Sequence, residues 1–327
     1  MLLVGDIGGT KTELAVYETG SMPGSPLLRK QFHSADYLSL QAIATQFLLE
    51  AKIPVVHAIF GVAGPVINGR IATTNLPWTM DEMSLARDLN LKSVHLMNDL
   101  EAMAWAIPVL KEGDVITLNT GEPIVNTALG VIAPGTGLGE SFLTWDGSEY
   151  RPRPSEGGHA NFAPTESRQI RLLEYLLGRF DHVSVERVCS GIGIPNIYQY
   201  LRDVENISET PAIAQEIESA ADPTKVIVNA AVAQPTTSRL CRATIDMFTS
   251  ILASEAGNIA LRVMATGGIY LAGGLVVHTL SVLQEPAFMR AFTKKGRFSE
   301  LMNRIPVHAI VTNAALLGAA NYALQRR

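Results

Sequence analysis

Cysteine is scarce in this chain of 327 residues. Only Cys189 and Cys241 occur, with no CxxC pair and no spacing of zinc ligands, which excludes a disulfide framework and a structural zinc. One disulfide between them is formally possible; reduced, buried thiols of a cytoplasmic protein fit the pattern better. Charge is sparse too, at 17% of residues with a formal net charge of −5. The nearest approach to a basic run is Lys294-Lys295-Gly296-Arg297, so nucleic acid is not expected as the main partner. No stretch approaches the ~20 apolar residues of a membrane span, and Asp6 interrupts the N-terminal apolar run too early for a signal peptide. The P-loop, with its Gly-Lys-Ser/Thr ending, is absent. What remains is a chain with 47% apolar residues, long enough for about two domains.

Glycine, by contrast, is placed with purpose. Leu129-Gly130-Val131-Ile132-Ala133 reads as a strand that breaks into Pro134-Gly135-Thr136-Gly137-Leu138-Gly139 and resumes as Ser141-Phe142-Leu143-Thr144-Trp145. The N-terminus repeats the plan: Leu2-Leu3-Val4-Gly5 leads into Asp6-Ile7-Gly8-Gly9-Thr10-Lys11-Thr12, and Glu13-Leu14-Ala15-Val16-Tyr17 follows. Glycine has no Cβ, so backbone N–H groups in such a turn can approach an anion closely. Gly135-x-Gly-x-Gly is not a dinucleotide fingerprint, because a strand rather than a helix follows it. Two such hairpins predict two related domains that grip a polyphosphate between them.

Between the hairpins the pattern alternates strand and helix, as in an α/β domain. Leu27–Ser34 reads as a third strand, Leu38–Ala51 as a helix with Leu40, Ile43, Ala44, Phe47 and Leu48 on one face, and Val55–Val62 as a buried strand. A helix from about Asp81 to Leu89 precedes the strand Val94–Met97, which delivers Asn98-Asp99 to the start of the next helix. Pro108–Asp114 reads as the crossing to a second domain. Beyond Thr165 the chain is mostly helical, with core-facing stripes at Ile170, Leu173, Leu176, Leu177 and Phe180, and at Leu240, Ile245, Phe248, Ile251 and Leu252. Ile269–Gly274 is a strand ending in a glycine pair, Val307–Val311 a last strand, and Asn313–Gln325 a terminal helix. The expected domains are a small one over 1–110 and a large one over 111–311, with the terminal helix, about 312–327, packing back on the first.

Three groups of residues offer chemistry. Asp6 stands where a strand meets the first glycine turn. A carboxylate there repels phosphate unless a cation lies between, so its natural role is to hold Mg²⁺, directly or through water. Asp99 follows Asn98 at the carboxyl edge of a strand, where ligands collect in open α/β sheets. It can accept the proton of an attacking hydroxyl while Asn98 orients the same alcohol, although either residue also suits an ordinary helix N-cap. Glu156-Gly157-Gly158-His159 is a polar loop whose acid and imidazole suit sugar hydroxyls; Glu186 is a further acceptor.

Together these segments resemble the bacterial glucokinase family, part of the actin-like sugar kinase/Hsp70 superfamily. The resemblance is carried by Leu3-Val-Gly-Asp-Ile-Gly-Gly-Thr-Lys, Gly61-Val-Ala-Gly-Pro-Val, Thr74-Asn-Leu-Pro-Trp, Asn98-Asp99, Ala133-Pro-Gly-Thr-Gly-Leu-Gly, Ser155-Glu-Gly-Gly-His, Glu186-Arg-Val-Cys-Ser-Gly, Leu271-Ala-Gly-Gly and Lys295-Gly-Arg-Phe. These run in order along essentially the whole chain. The resemblance implies a two-domain actin-like ATPase (ribonuclease H-like) α/β fold with an interdomain active-site cleft, and transfer of a phosphoryl group from ATP to glucose with Mg²⁺.

Position by position, it implies that Gly5, Asp6, Ile7, Gly8, Gly9 and Thr10 form the first phosphate motif, and Gly135, Thr136 and Gly137 the second. Gly273 and Gly274 belong to the adenosine motif. Asp99 matches the catalytic base, Asn98, Glu156, His159 and Glu186 match glucose ligands, and Asn75 falls in a loop bordering the sugar cleft. Lys11 departs from the family, many of whose members carry Asn there. The cysteine-rich zinc motif of the related repressor/kinase family is missing after His159. A homodimer is also implied. The rival readings are a kinase for another hexose or an amino sugar, and a sugar-responsive regulator without activity; Asp99 argues against the regulator, since a pure sensor needs no base.

Overall fold

The structure, a computed structural model, describes residues 1–72, 76–233 and 236–325. The chain divides into two compact units, residues 1–111 with 312–327, and residues 112–311.

The first unit is built on a five-stranded sheet. β1 (Leu2–Ile7) and β2 (Lys11–Tyr17) form the glycine hairpin, and β3 (Leu28–His33) adds to its edge. Helix α1 (Leu40–Ala51) follows, capped by Ser39, whose side chain accepts from Ala42 N; Leu38, read as part of that helix, lies outside it. β4 (His57–Val62) comes next, then a small hairpin of β5 (Arg70–Ala72) and β6 (Thr79–Asp81), helix α2 (Glu82–Asp88), β7 (Ser93–Asn98) and α3 (Asp99–Ala106). The strand order is β3-β2-β1-β4-β7, with β1, β4 and β7 parallel and the first hairpin antiparallel.

Both faces of this sheet are covered, which is why its central strands are apolar at nearly every position. Successive side chains of β1 serve opposite faces: Leu3 joins a core with Phe47 and Phe60, and Leu2 and Val4 join one with Trp105 and Leu316. Leu316 belongs to the terminal helix, Ala314–Gln325, whose run of alanines lets it lie close against α3. A Cβ on Gly318 would overlap the Ala102 carbonyl, so the two helices meet backbone to backbone.

The second unit carries a six-stranded sheet. β8 (Val115–Asn119) precedes β9 (Leu129–Pro134), β10 (Leu138–Trp145) and β11 (Tyr150–Ser155). Helices α4 (Ser167–Leu177), α5 (Ile194–Asp203), α6 (Pro211–Ser219), α7 (Pro223–Ala233) and α8 (Arg239–Val263) follow, then β12 (Gly268–Leu271). Short helices α9 (Gly274–His278), α10 (Leu280–Leu283), α11 (Pro286–Thr293) and α12 (Ser299–Arg304) lead to β13 (Val307–Ile310); the terminal helix is α13. The order β11-β10-β9-β12-β13-β8 repeats that of the first unit and adds β8 antiparallel beyond β13. Helix α8 forms the backbone of the core, burying Leu240, Ile245, Phe248, Ile251 and Leu252.

Two further details differ from the sequence reading, and a third adds to it. In α4, Ile170 and Leu177 are 48% and 54% exposed, while Gln169, Leu172 and Leu176 face inward. Gln169 can occupy an inner position because its Oε1 accepts from Thr165 N at 2.9 Å. The second hairpin is tighter than its glycine content suggests: β10 begins at Leu138, leaving Gly135-Thr136-Gly137 as the turn. Finally, Pro152 and Pro154 lie within β11, which the sheet accepts because β11 is an edge strand and proline's missing N–H breaks no further ladder bond.

Candidate active site

In the first unit, parallel register brings the chemistry to one edge. Asp6 lies opposite Gly61, and Val62 opposite Asn98, so β1, β4 and β7 release Asp6, the Gly61–Gly64 turn and Asn98-Asp99 at the same carboxyl edge. The Gly8-Gly9-Thr10 turn is closed by Gly8 N donating to Lys11 O at 3.0 Å. Ser34 braces it: its Oγ donates to Gly8 O at 2.7 Å, and its N donates to Thr10 O at 3.0 Å.

Asp6 accepts from Asn313 Nδ2 through Oδ2 at 3.1 Å, and the same amide donates to Glu13 Oε2 at 2.6 Å. Burial pushes the Asp6 carboxyl up to about 6; the Asn313 bond opposes this, and the nearby charges of Asp99 and Glu13 add to it. Although burial works against its charge, Glu13 is held below the usual range by Arg29 and Asn313. Asn313 also caps the start of α13, its Oδ1 accepting from Leu316 N at 3.1 Å.

The Asn98 side chain is bonded through both its oxygen and its nitrogen. Its Oδ1 accepts from Leu100 N at 2.9 Å and from Glu101 N at 3.4 Å, and its Nδ2 donates to Gly64 O at 3.0 Å. Asn98 is therefore the N-cap of α3 and ties that helix to the Gly61–Gly64 turn. Loss of such a cap costs about 1 kcal/mol. Asn98→Ala is expected to lower stability by that amount in urea unfolding, and Asn98→Asp, which keeps the cap oxygen, by less. The Asp99 carboxyl is raised above its usual range by burial, despite accepting from Leu100 N at 2.9 Å.

The second unit assembles the other residues around its own hairpin turn. Gly135 N donates to Gly137 O at 2.9 Å. Glu186 Oε2 accepts from Leu138 N at 2.9 Å, and a Cβ on Gly137 would overlap that carboxylate; a larger residue there would displace the acid. The segment after Glu186 seals the turn from behind, Gly191 N donating to Gly135 O at 2.8 Å and Ile192 N to Thr136 O at 3.2 Å. Gly273 adopts a φ of +91° and packs on the hairpin's first strand, where an added Cβ would sit 2.7 Å from Pro134 O. The Glu156–His159 loop forms one turn of 3₁₀ helix, with Ala160 O accepting from Val185 N at 2.9 Å. The side chains of Glu156 and His159 stand 87% and 63% exposed, free to meet a ligand.

A family model described as Glucokinase matches residues 3–326. The chain belongs to the glucokinase family. A glucokinase of Nostoc punctiforme is 40% identical over 335 residues, covering 98% of each chain. The crystal structure of a glucokinase from an Antarctic psychrotroph is 30% identical, with a TM-score of 0.83 and 98% of each chain covered. A ROK-family glucokinase from Streptomyces griseus, solved with glucose and AMPPNP, shares the fold at 19% identity, with a TM-score of 0.64 and 98% of each chain covered.

Not every glycine of the glucokinase motifs has room for a ligand. A Cβ on Gly5 would sit 2.7 Å from both Leu14 and Phe60 side chains, and the Ile7 side chain is buried in the core, so both have packing reasons of their own. Gly135 and Gly274, by contrast, have open space where a Cβ would lie. Asn75 lies outside the described residues. Sequence reading missed Ser34, Glu13 and Asn313. Asn313 is 307 positions from Asp6, and only the strand order brings them together. Both cysteines are free and buried. No described helix is long and apolar enough to cross a membrane.

Proposed function

We infer that this glucokinase-family chain transfers the γ-phosphoryl group of ATP to the 6-hydroxyl of D-glucose, giving glucose 6-phosphate. The assignment rests on the match along nearly the whole chain, and the relative solved with glucose and an ATP analogue supports the substrate pair. The observation that carries the mechanism is the meeting of Asp6 and Asp99, two desolvated carboxylates, at one sheet edge of the first unit.

Asp99 takes the proton of the 6-hydroxyl; its pKa, raised by burial, makes its ionised form a better base than a solvated aspartate. Asn98 fixes the turn and helix that aim it. Glu156, His159 and Glu186 bind the sugar from the second unit, with Asn75 at the border of the site. The backbones of Gly8-Gly9-Thr10 and Gly135-Thr136-Gly137 hold phosphates, and Gly273-Gly274 borders the adenosine. Catalysis is mostly positioning and electrostatics, as expected for phosphoryl transfer. With ligands assigned from both units, the sugar is expected to engage both. A cytoplasmic homodimer completes the reading.

The donor set fits Mg²⁺ in one form. Among the described residues no three His, Cys, Asp or Glu side chains group to hold a metal, which is not a protein cage but does suit an ion carried largely by phosphates and water with one protein carboxylate. Asp6 is that carboxylate, oriented by Asn313. Bound there, the ion would neutralise the charge of the phosphates. Asp6→Ala is expected to raise the magnesium requirement and lower turnover with glucose affinity in the absence of nucleotide nearly unchanged; equal loss of sugar binding would mean that Asp6 supports the fold instead.

A coupled assay of ADP release over a panel of hexoses and amino sugars tests the function. Preferred turnover of glucose supports it. Preference for another sugar moves the assignment within the sugar kinases, and sugar binding without ADP release replaces it with a regulator.

A further inference from the structure

Glu140 has no part in the scheme above, yet it is the most confined acid near the sugar loop. It lies in β10, in register with Ser155 of β11, and is 3% exposed. Its Oε1 is buried with no hydrogen-bond partner among the described residues. Burial pushes the carboxyl up to about 7; Glu255 adds to this and Arg262 opposes it. Those two belong to α8 and pair with each other at 2.7 Å. From the turn after Glu186, the Cys189 thiol also feels the Glu140 charge.

The other carboxylate oxygen lies against Gly157. A Cβ there would overlap Glu140 Oε2 and sit 2.9 Å from the carboxyl carbon, and one on Gly158 would overlap the Leu138 carbonyl. The two glycines of the sugar loop thus press their backbone onto β10, while Glu156 and His159 project from either side of them. The loop is short and internally bonded: Gly157 N donates to Ser155 Oγ at 3.0 Å, His159 N to Glu156 O at 3.0 Å, and Ala160 N to Gly157 O at 2.9 Å. Where Gly157 rests, its neighbours must follow.

We propose that Glu140 is a positioning residue of the sugar site, its carboxyl acting from beneath Gly157 to set where Glu156 and His159 stand. The proposal rests on the reading of Glu156 and His159 as glucose ligands. Protonated, the carboxyl is a compact neutral support. Ionised, it is a buried charge facing Glu255 with one oxygen unpaired, a costly state that the loop can relieve by lifting to admit water. The neutral form is the competent one, so glucose affinity falls as pH rises through about 7.

The test is steady-state kinetics of the full chain, with glucose varied at saturating ATP and Mg²⁺ on both sides of pH 7. In the wild type, glucose KM is expected to climb above that pH while ATP KM stays level; Glu140→Gln, a neutral isostere, is expected to give a flat glucose KM. Gly157→Ala should raise glucose KM by about 10- to 100-fold through misplacement of the loop, and adding Glu140→Ala should recover most of that loss by removing the overlapping group. A Glu140→Gln profile identical to the wild type, or no recovery in the double variant, overturns the proposal. Should Gly157→Ala fail to fold, the Glu140→Gln profile decides alone. Glu156→Ala measured alongside separates the two levels: if it leaves glucose KM unchanged, the sugar-site reading falls and this inference with it; if it raises KM while the Glu140 variants behave as wild type, only this inference falls.

Discussion

Asp99→Asn is expected to fold, to bind glucose, and to lose about 10²–10⁴-fold in turnover, the usual range for removal of a general base. The substitution keeps the size of the side chain and an oxygen that can accept from Leu100 N, so the start of α3 is preserved. Stability should not suffer. Burial raises the Asp99 carboxyl in the folded state, so folding favours its protonated form, and that contribution is lost as pH rises from the ordinary aspartate range through the raised value. The ionised carboxylate carries a desolvation cost that Asn does not. In the wild type, kcat/KM should fall on the acid side with a midpoint above the usual range for aspartate, because only the ionised carboxylate accepts the proton. Single-turnover kinetics with independently measured glucose binding checks the point, and near-normal turnover in Asp99→Asn would remove Asp99 from the chemistry.

Glu156→Ala is expected to weaken glucose binding by roughly one to two decades, since a hydrogen bond to a charged group contributes about 1.5–3 kcal/mol. The side chain is 87% exposed and makes only a 3.9 Å ionic approach to His159, so its removal should leave folding intact and the loss should appear in binding alone. His159→Ala should cost less if its imidazole is neutral. If the sugar bridges the two units, saturating glucose should also compact the wild-type chain, closure being a general means of excluding water from a phosphoryl acceptor. Small-angle scattering should register that compaction, and show much less of it in Glu156→Ala at the same glucose concentration. Absence of compaction in the wild type would end the bridging argument and leave the kinase assignment standing.

The local parts of this molecule were legible in its sequence. Glycine turns flanked by apolar runs marked both hairpins, and period-3.6 spacing marked α1 and α8, because these signals arise within a dozen residues. The family motifs carried the candidate site. What could not be read depends on packing across long separations. Asn313 joins Asp6 and Glu13 only because α13 starts where the first hairpin ends. Ser34 looks like any turn serine until β3 brings it beneath Gly8. Glu140, between Gly139 and Ser141, reads as a solvent-facing strand residue, and only the folded second unit, with Gly157 against its carboxylate, shows it buried. Likewise, α4 was given a stripe through Ile170 and Leu177, because nothing in a list of residues shows that Gln169 will find a partner in Thr165.

The repeated strand order sets the two glycine turns side by side for comparison. β1 and β9 hold the same place in their sheets and each ends just before a glycine turn, at Gly8 and at Gly135. Counting two residues back from those glycines gives Asp6 in one copy and Ala133 in the other. A motif present twice in one chain can serve a different role in each copy, and here the acid stands in one and not in the other. Ala133→Asp would place an acid before both turns, and if both turns hold phosphate as proposed, it should weaken nucleotide binding.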